Sequence, residues 1–231
     1  MKKQKKDILF LIMARLNSER VERKMIKRFA GTNLLDISLK KLKNCKSIPT
    51  ENIYLAAHEK ELLAVAKNND INTFKRSYES SVEEREISVL YDWCLSLKNE
   101  FKYYVMINPC CPFLKEDTID NFVDAYITSE HDGMFGVVKK RNMMWDDEFR
   151  PLRKHKKNSA INTKSLDVFY EAAHCLYAGN IDRLSDGIHM GTFDEPNDPY
   201  LYVMDNGIEL LDIDYQWQFK MCESLYTMLH A

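Results

Sequence analysis

The sequence predicts an α/β fold on a mainly parallel sheet. Short apolar runs alternate with amphipathic helical patterns along the chain. The first run, Ile8-Leu9-Phe10-Leu11-Ile12-Met13, is continuously apolar and reads as a buried strand. With 231 residues, 45% of them hydrophobic, only 7 glycines, no repeat and no Pro/Gly/Ser-rich linker, residues 1–231 read as a single domain.

Taken in order, the strand Ile8 to Met13 leads through a polar loop to a helix from Asn33 to about Leu42. Asn33 suits its N-cap, and Leu34, Leu35, Ile37, Leu39 and Leu42 form its apolar face. A strand at Ile53 to Ala57, a helix from Glu59 to about Lys67 and a short strand near Ile71 to Phe74 follow. Ser80-Ser81-Val82-Glu83 has the form of a capping box opening a helix through Val89, Leu90, Trp93 and Leu95. Next come a strand at Tyr103 to Ile107, the turn Asn108-Pro109-Cys110-Cys111-Pro112, a helix from Asp117 to Tyr126 and a strand at Gly133 to Val138. Residues 139–165 are basic, lack helical periodicity and contain Trp145, so they read as an excursion from the core. Strands at Cys175 to Ala178, Tyr200 to Met204 and Ile208 to Leu211, then a helix from Tyr215 to Leu229, complete the pattern.

The net charge of −2 conceals an asymmetry. Residues 1–46 carry 14 Lys or Arg against 4 Asp or Glu, while the other 185 residues carry 19 basic and 31 acidic groups. No basic stripe interleaved with aromatics recurs later, so a small polyanion is a better partner than a nucleic acid. Lys2, Lys3, Lys5 and Lys6 read as a solvated tail. Arg15 interrupts the first apolar segment, no cleavage site follows it, and no run approaches the roughly 20 apolar residues needed to cross a bilayer. A cytoplasmic protein with no membrane partner is expected. The six cysteines show neither a CxxC pair nor a His/Cys ligand spacing, so they are expected as reduced thiols rather than zinc ligands. Neither GxxxxGK[ST] nor GxGxxG occurs, which disfavours P-loop and dinucleotide-binding chemistry.

Four groups of residues carry chemical promise. Arg15, Ser18, Arg20 and Lys24 follow a buried strand, where backbone N–H groups, a hydroxyl and fixed cations can surround a polyphosphate. Asp212 and Asp214, at i and i+2 of an extended segment, project to one side and suit a hard cation such as Mg²⁺, although Asp214 could equally cap the last helix. The Asn108 to Pro112 turn ends a central strand, where open α/β sheets bind ligands. The segment Phe74-Lys75-Arg76-Ser77-Tyr78-Glu79-Ser80-Ser81 precedes a helix and carries Arg76. His174 reads as a packed or edge histidine, and adjacent Cys110 and Cys111 have no base assignable from sequence that would make them nucleophiles.

The spacing Arg-x-x-Ser-x-Arg-x-x-x-Lys after an N-terminal strand resembles the first motif of the acylneuraminate cytidylyltransferase family, which includes CMP-sialic acid synthetases and SpsF-like proteins. The other three groups occur in that family's order. The resemblance implies a Rossmann-like three-layer nucleotidyltransferase fold and transfer of CMP from CTP to an acidic acceptor, a sialic-acid-like sugar acid, with release of pyrophosphate. It further implies that Arg15, Ser18, Arg20 and Lys24 hold the triphosphate, with Arg15, Lys24 and Asp214 catalytic. Arg76, with Ser80 or Ser81, would read the cytosine; Asn108 would serve nucleotide and acceptor; Lys139, Lys140 and Arg141 would face the acceptor. Asp212 and Asp214 would bind Mg²⁺, and the 139–165 excursion would build a homodimer contact.

The sequence departs from that pattern at the central turn, where Asn108 stands for Gln and Cys110 for Thr, and at Glu19 and Glu22 in the loop. A phosphate or phosphonate acceptor therefore remains an alternative. So do a GT-A glycosyltransferase, with Asp212-Ile213-Asp214 as its DxD, and a non-catalytic nucleotide-binding protein.

Overall fold

The computed structural model describes residues 2–82, 84–153, 162–205 and 207–230. The strands are β1 (Ile8–Met13), β2 (Ile53–Ala57), β3 (Asn72–Lys75), β4 (Tyr103–Ile107), β5 (Met134–Lys140), β6 (Phe169–Asn180) and β7 (Tyr200–Met204). They form one sheet in the order β3-β2-β1-β4-β6-β5-β7. Pairings β1–β2, β1–β4, β2–β3 and β5–β7 are parallel, and only β6 runs against its neighbours. This is the α/β architecture with a mainly parallel sheet that the alternating pattern predicts.

The period-2 geometry of β1 divides the core between two layers. Ile8, Phe10 and Ile12 pack with α1 (Leu34–Asn44), α2 (Lys60–Asn68), α5 (Glu116–Thr128) and α6 (Gln216–Leu229). Leu9 and Leu11 pack on the other face with Tyr91, Trp93, Cys94 and Tyr104. The expected apolar face of α1 is buried throughout, and Asn33 caps the helix by accepting the Asp36 N–H at 2.9 Å.

Three expectations change. The helix expected through Val89, Leu90, Trp93 and Leu95 is two single turns, α3 (Ile87–Leu90) and α4 (Asp92–Leu95). The chain leaves the helical conformation at Tyr91 (φ −115°, ψ 15°), and Tyr91, Trp93 and Cys94 are all buried. Glu83 of the expected capping box lies outside the described residues. Residues Ile208–Leu210 form a 3₁₀ turn rather than a strand. Glu209 fastens that turn, its carboxylate accepting from Lys115 N–H at 3.1 Å and the Thr118 hydroxyl at 2.6 Å. Finally, Lys3 is no solvated tail residue. It is 5% exposed, lies 4.7 Å above the Tyr126 ring and donates to the Ser129 carbonyl at 2.8 Å.

In the 139–165 excursion, Trp145 and Pro151 form a bridge, and residues 154–161 lie outside the described set. Met144, Trp145, Phe149 and Leu152 are exposed there. No described helix is long and apolar enough to cross a membrane.

Candidate active site

Strand order reverses between β1 and β4, because the chain builds β2 and β3 on one side of β1 and then crosses to place β4 on the other. The carboxyl ends of two such strands diverge and leave a crevice, the usual ligand position in open α/β sheets. Residues of the polar loop after β1 and of the turn after β4 line this crevice.

The loop is held by its own apolar residues and by backbone bonds. Val21 and Met25 are buried, Ala14 N–H donates to the Ala56 carbonyl at 3.2 Å, and Lys24 N–H donates to the Val21 carbonyl at 3.2 Å. Arg15, Ser18, Arg20 and Lys24 consequently line one cavity of about 340 Å³ together with Glu19, Asn108, Cys110 and Asp214. Burial lowers the pKa of Arg15, opposed by the charges of Glu19 and Glu59.

Of the acidic pair, Asp214 lines this cavity and Asp212 lies behind Asn108; neither residue is in a strand. Ile213 is fully buried, with Asp212 and Asp214 flanking it in sequence. Ile213 also ties the site together, its N–H donating to the Cys110 carbonyl at 3.1 Å and its carbonyl accepting from Lys24 Nζ at 2.6 Å. Gln218 Oε1 accepts the N–H groups of both Asp214 and Tyr215, at 2.8 and 2.7 Å. The Asp214 side chain instead pairs with Arg20 at 2.9 Å and Lys24 at 3.7 Å.

Asp212 is more enclosed. Its Oδ2 accepts from Asn108 Nδ2 at 3.3 Å, while Oδ1 is buried with no hydrogen-bond partner. Burial raises the Asp212 pKa, and repulsion from Asp214 adds to the rise. An enclosed carboxylate with an unsatisfied oxygen beside a second carboxylate offers the oxygen donors that a hard divalent cation takes, although Arg20 and Lys24 already offset Asp214. These residues therefore fit Mg²⁺. Among the described residues no group of three His, Cys, Asp or Glu could hold a metal, so such a cation would take its other ligands from water and phosphate oxygens.

Asn108 lines the cavity, but its amide is engaged internally: Oδ1 accepts Cys110 N–H at 2.9 Å, and Nδ2 donates to the His174 carbonyl at 2.7 Å as well as to Asp212. It orients the turn and Asp212. Burial pushes the Cys110 thiol up to about 11, so it is protonated at neutral pH. His174, expected as a packed or edge histidine, is exposed within β6 with its ring 6.0 Å from that of Phe135. It sits in a register shift of β6 against β5, with φ of 51°, and its carbonyl accepts from Asn108 Nδ2. No sequence signal marks that bulge.

Arg76 is 4% exposed and Ser80 fully buried, and both line a neighbouring cavity of about 250 Å³ that also contains Arg15 and Ser81. Arg76 Nε is buried without a partner. The Ser80 hydroxyl bonds the Ser77 carbonyl at 3.3 Å and the Ser81 hydroxyl bonds the Tyr78 carbonyl at 2.6 Å, so both serines also shape their own 3₁₀ turn. Lys139, Lys140 and Arg141 line neither cavity. Lys139 is exposed, Lys140 pairs with Glu171 at 3.4 Å, and Arg141 donates to the carbonyls of Lys164 and Leu166. Glu59 carries no motif yet lies beside the loop, accepting Leu16 N–H at 2.9 Å.

Residues 9–220 match the family model for Cytidylyltransferase. A search of curated proteins found no relative. Among solved structures, the chain resembles a CMP:2-keto-3-deoxy-manno-octonic acid synthetase complexed with CTP, with TM-score 0.66 at 9% identity over 96% of this chain and 99% of that one. It also resembles 4-diphosphocytidyl-2C-methyl-D-erythritol synthase from Anaerococcus prevotii, with TM-score 0.64 at 13% identity over 96% of each chain. A cytidylyltransferase from Leptospira borgpetersenii gives TM-score 0.61 at 17% identity, over 96% of this chain and 87% of that one. At these identities the likenesses establish the fold.

Proposed function

Since the chain belongs to the cytidylyltransferase family and is thus a CTP-dependent nucleotidyltransferase, we propose that it transfers CMP from CTP to a sugar acid of the sialic-acid type and that its branch is the acylneuraminate one. The observation that carries the proposal is the single cavity that gathers Arg15, Ser18, Arg20, Lys24, Asn108 and Asp214 at the carboxyl ends of β1 and β4. Family membership sets aside the glycosyltransferase and non-catalytic readings.

In the proposed reaction an acceptor oxygen attacks the α-phosphorus of CTP. A new P–O bond forms, the attacking hydroxyl gives its proton to water, the bond from the α-phosphorus to the bridging oxygen breaks, and pyrophosphate leaves with the electron pair. Arg15, Arg20 and Lys24 surround the triphosphate and offset the charge that gathers on the departing pyrophosphate, with Ser18 as a hydroxyl donor. Lys24 is fixed by the Ile213 carbonyl, so its ammonium needs little reorganisation. Arg76, buried beside Ser80, faces the cytosine.

Asp212 and Asp214 would hold Mg²⁺, which when bound supplies charge neutralisation at the phosphate oxygens. Asn108 keeps Asp212 oriented for that task. The expected acceptor cations Lys139, Lys140 and Arg141 lie on the excursion side of the sheet, where an acidic acceptor would approach. Exposed Met144, Trp145, Phe149 and Leu152 support a homodimer contact through the same excursion.

The test mixes protein and Mg²⁺ with each of the four nucleoside triphosphates and a panel of keto sugar acids, sugar phosphates and phosphonates, then measures pyrophosphate and the nucleotide conjugate. Pyrophosphate formed with CTP and a keto sugar acid is the expected result. Turnover confined to a phosphate or phosphonate acceptor overturns the sugar-acid assignment.

A further inference from the structure

Lys41 sits on the buried side of α1, 9% exposed, and among the described residues no carboxylate lies within ion-pair distance of its ammonium. Taking an ammonium out of water without a counter-charge is costly, and an apolar side chain would fill the same face of the helix at less cost. Burial lowers the Lys41 pKa to about 8, opposed by the charge of Glu116, so at neutral pH this charge works against folding. The compensation comes from one contact: Lys41 Nζ donates to the Pro112 carbonyl at 2.8 Å, across 71 residues of sequence. Three positions earlier, on the same side of the helix, the Ser38 hydroxyl donates to the Pro109 carbonyl at 3.4 Å.

The turn after β4 depends on such outside donors. Its two prolines bring no N–H of their own. The carbonyls of Pro109, Cys110 and Pro112 are met by Ser38, by Ile213 N–H and by Lys41. The Lys41 bond is the shortest of the three and the one made by a cation, which makes it the strongest hold on the turn. Asn108, Pro109 and Cys110 in turn line the 340 Å³ cavity. Asn108 Oδ1 accepts Cys110 N–H and its Nδ2 reaches Asp212, so the direction of this amide follows the backbone of the turn. Lys41 itself lines neither that cavity nor the one beside Arg76; with Pro112 it lines a separate cavity of about 510 Å³.

We infer that Lys41 is a positioning residue of the nucleotide site, its ammonium pinning the Pro112 carbonyl so that the turn presents Asn108 and Cys110 to CTP in one fixed geometry. The inference rests on the reading of the 340 Å³ cavity as the CTP site. Lys41 acts through the turn rather than by touching substrate, so its effect on the nucleotide is coupled to that of Asn108. A lysine that merely helped α1 to pack would change the melting temperature and leave the CTP affinity of the folded protein where it was.

The experiment titrates CTP with Mg²⁺ calorimetrically into wild type, Lys41→Met, Lys41→Arg, Asn108→Ala and the Lys41→Met/Asn108→Ala double variant, with thermal melts to establish folding. Met keeps an unbranched side chain and removes both donor and charge, whereas Arg keeps both. Lys41→Met is expected to weaken CTP binding by about tenfold, the scale of one charge-assisted hydrogen bond, and to add almost nothing in the Asn108→Ala background. Lys41→Arg is expected to recover most of the loss. Wild-type affinity in Lys41→Met, an Arg variant that binds as weakly as the Met variant, or losses that multiply in the double variant would overturn the inference. If Lys41→Met does not fold, Lys41→Gln replaces it: its uncharged amide ends one bond short of the ammonium, a severalfold loss that vanishes with Asn108→Ala is again expected, and wild-type affinity again overturns the inference. Wild-type protein that takes up no CTP overturns the reading of the site itself; CTP uptake that Lys41 does not influence overturns this inference alone.

Discussion

Lys24 Nζ lies 3.7 Å from Asp214 Oδ1 while donating to the carbonyl of the residue before it. Arg20 contacts the same carboxylate at 2.9 Å. Two of the three cations proposed for the triphosphate thus already share an internal anion. Lys24→Ala is expected to weaken CTP binding by about tenfold or more, with a smaller effect on the turnover of bound nucleotide. Asp214→Asn is expected to lower kcat on the order of a hundredfold yet to bind CTP in EDTA at least as tightly as wild type, since no carboxylate has to be displaced. Steady-state kinetics and calorimetry separate the two, and near-normal kinetics in both variants would remove them from the site.

Asp212 trades stability against function. Its pKa is raised chiefly by burial, so the folded chain holds that proton more tightly than the unfolded chain does. Stability is therefore lost as pH rises through the raised value, and at neutral pH the ionised group is destabilising. Asp212→Asn should melt higher than wild type at pH 7, while turnover collapses. The difference in melting temperature should narrow as pH falls through the Asp212 pKa; a lower melting temperature at pH 7 would contradict the argument.

His189 stacks on Tyr104 with ring centroids 5.5 Å apart, and burial lowers its pKa to about 4. The unfolded chain takes up this proton near pH 6.5 and the folded chain does not, so stability present above pH 6.5 is lost as pH falls toward 4. Calorimetric melts across that window should show the loss in wild type and a shallower one in His189→Phe, which keeps an aromatic ring and removes the titration.

Lys3 links the start of the chain to the end of α5. Lys3→Ala deletes a cation–π contact and leaves the Ser129 carbonyl without its partner, and should cost about 1–3 kcal/mol in denaturant unfolding. A change within a few tenths of a kcal/mol would return Lys3 to the solvated tail.

The sheet is legible where a strand is buried on both faces. β1, β2 and β4 declare themselves as apolar runs, and their ends agree with the expected bounds to the residue. Less legible are features set by partners distant in sequence. The break at Tyr91 sits where the chain packs against Leu9, Leu11 and Tyr104, partners that a local helical period does not encode. The loop and acidic-pair residues could be found because charge and spacing mark them. Glu59 could not, since an acidic residue at a helix start is unremarkable until Leu16 N–H is seen to meet it. Lys3 was hidden by its company, three other lysines within five positions.

Ile213 joins the central turn and the phosphate loop through its own peptide groups, one N–H and one carbonyl, while its side chain is sunk in the core. A seam sewn with main-chain atoms is indifferent to what the facing turn displays, so Cys110 can be exchanged for other small residues without the cavity losing its shape. A lineage built on this seam can vary the side chains of the turn while the attachment of the loop after β1 is inherited intact.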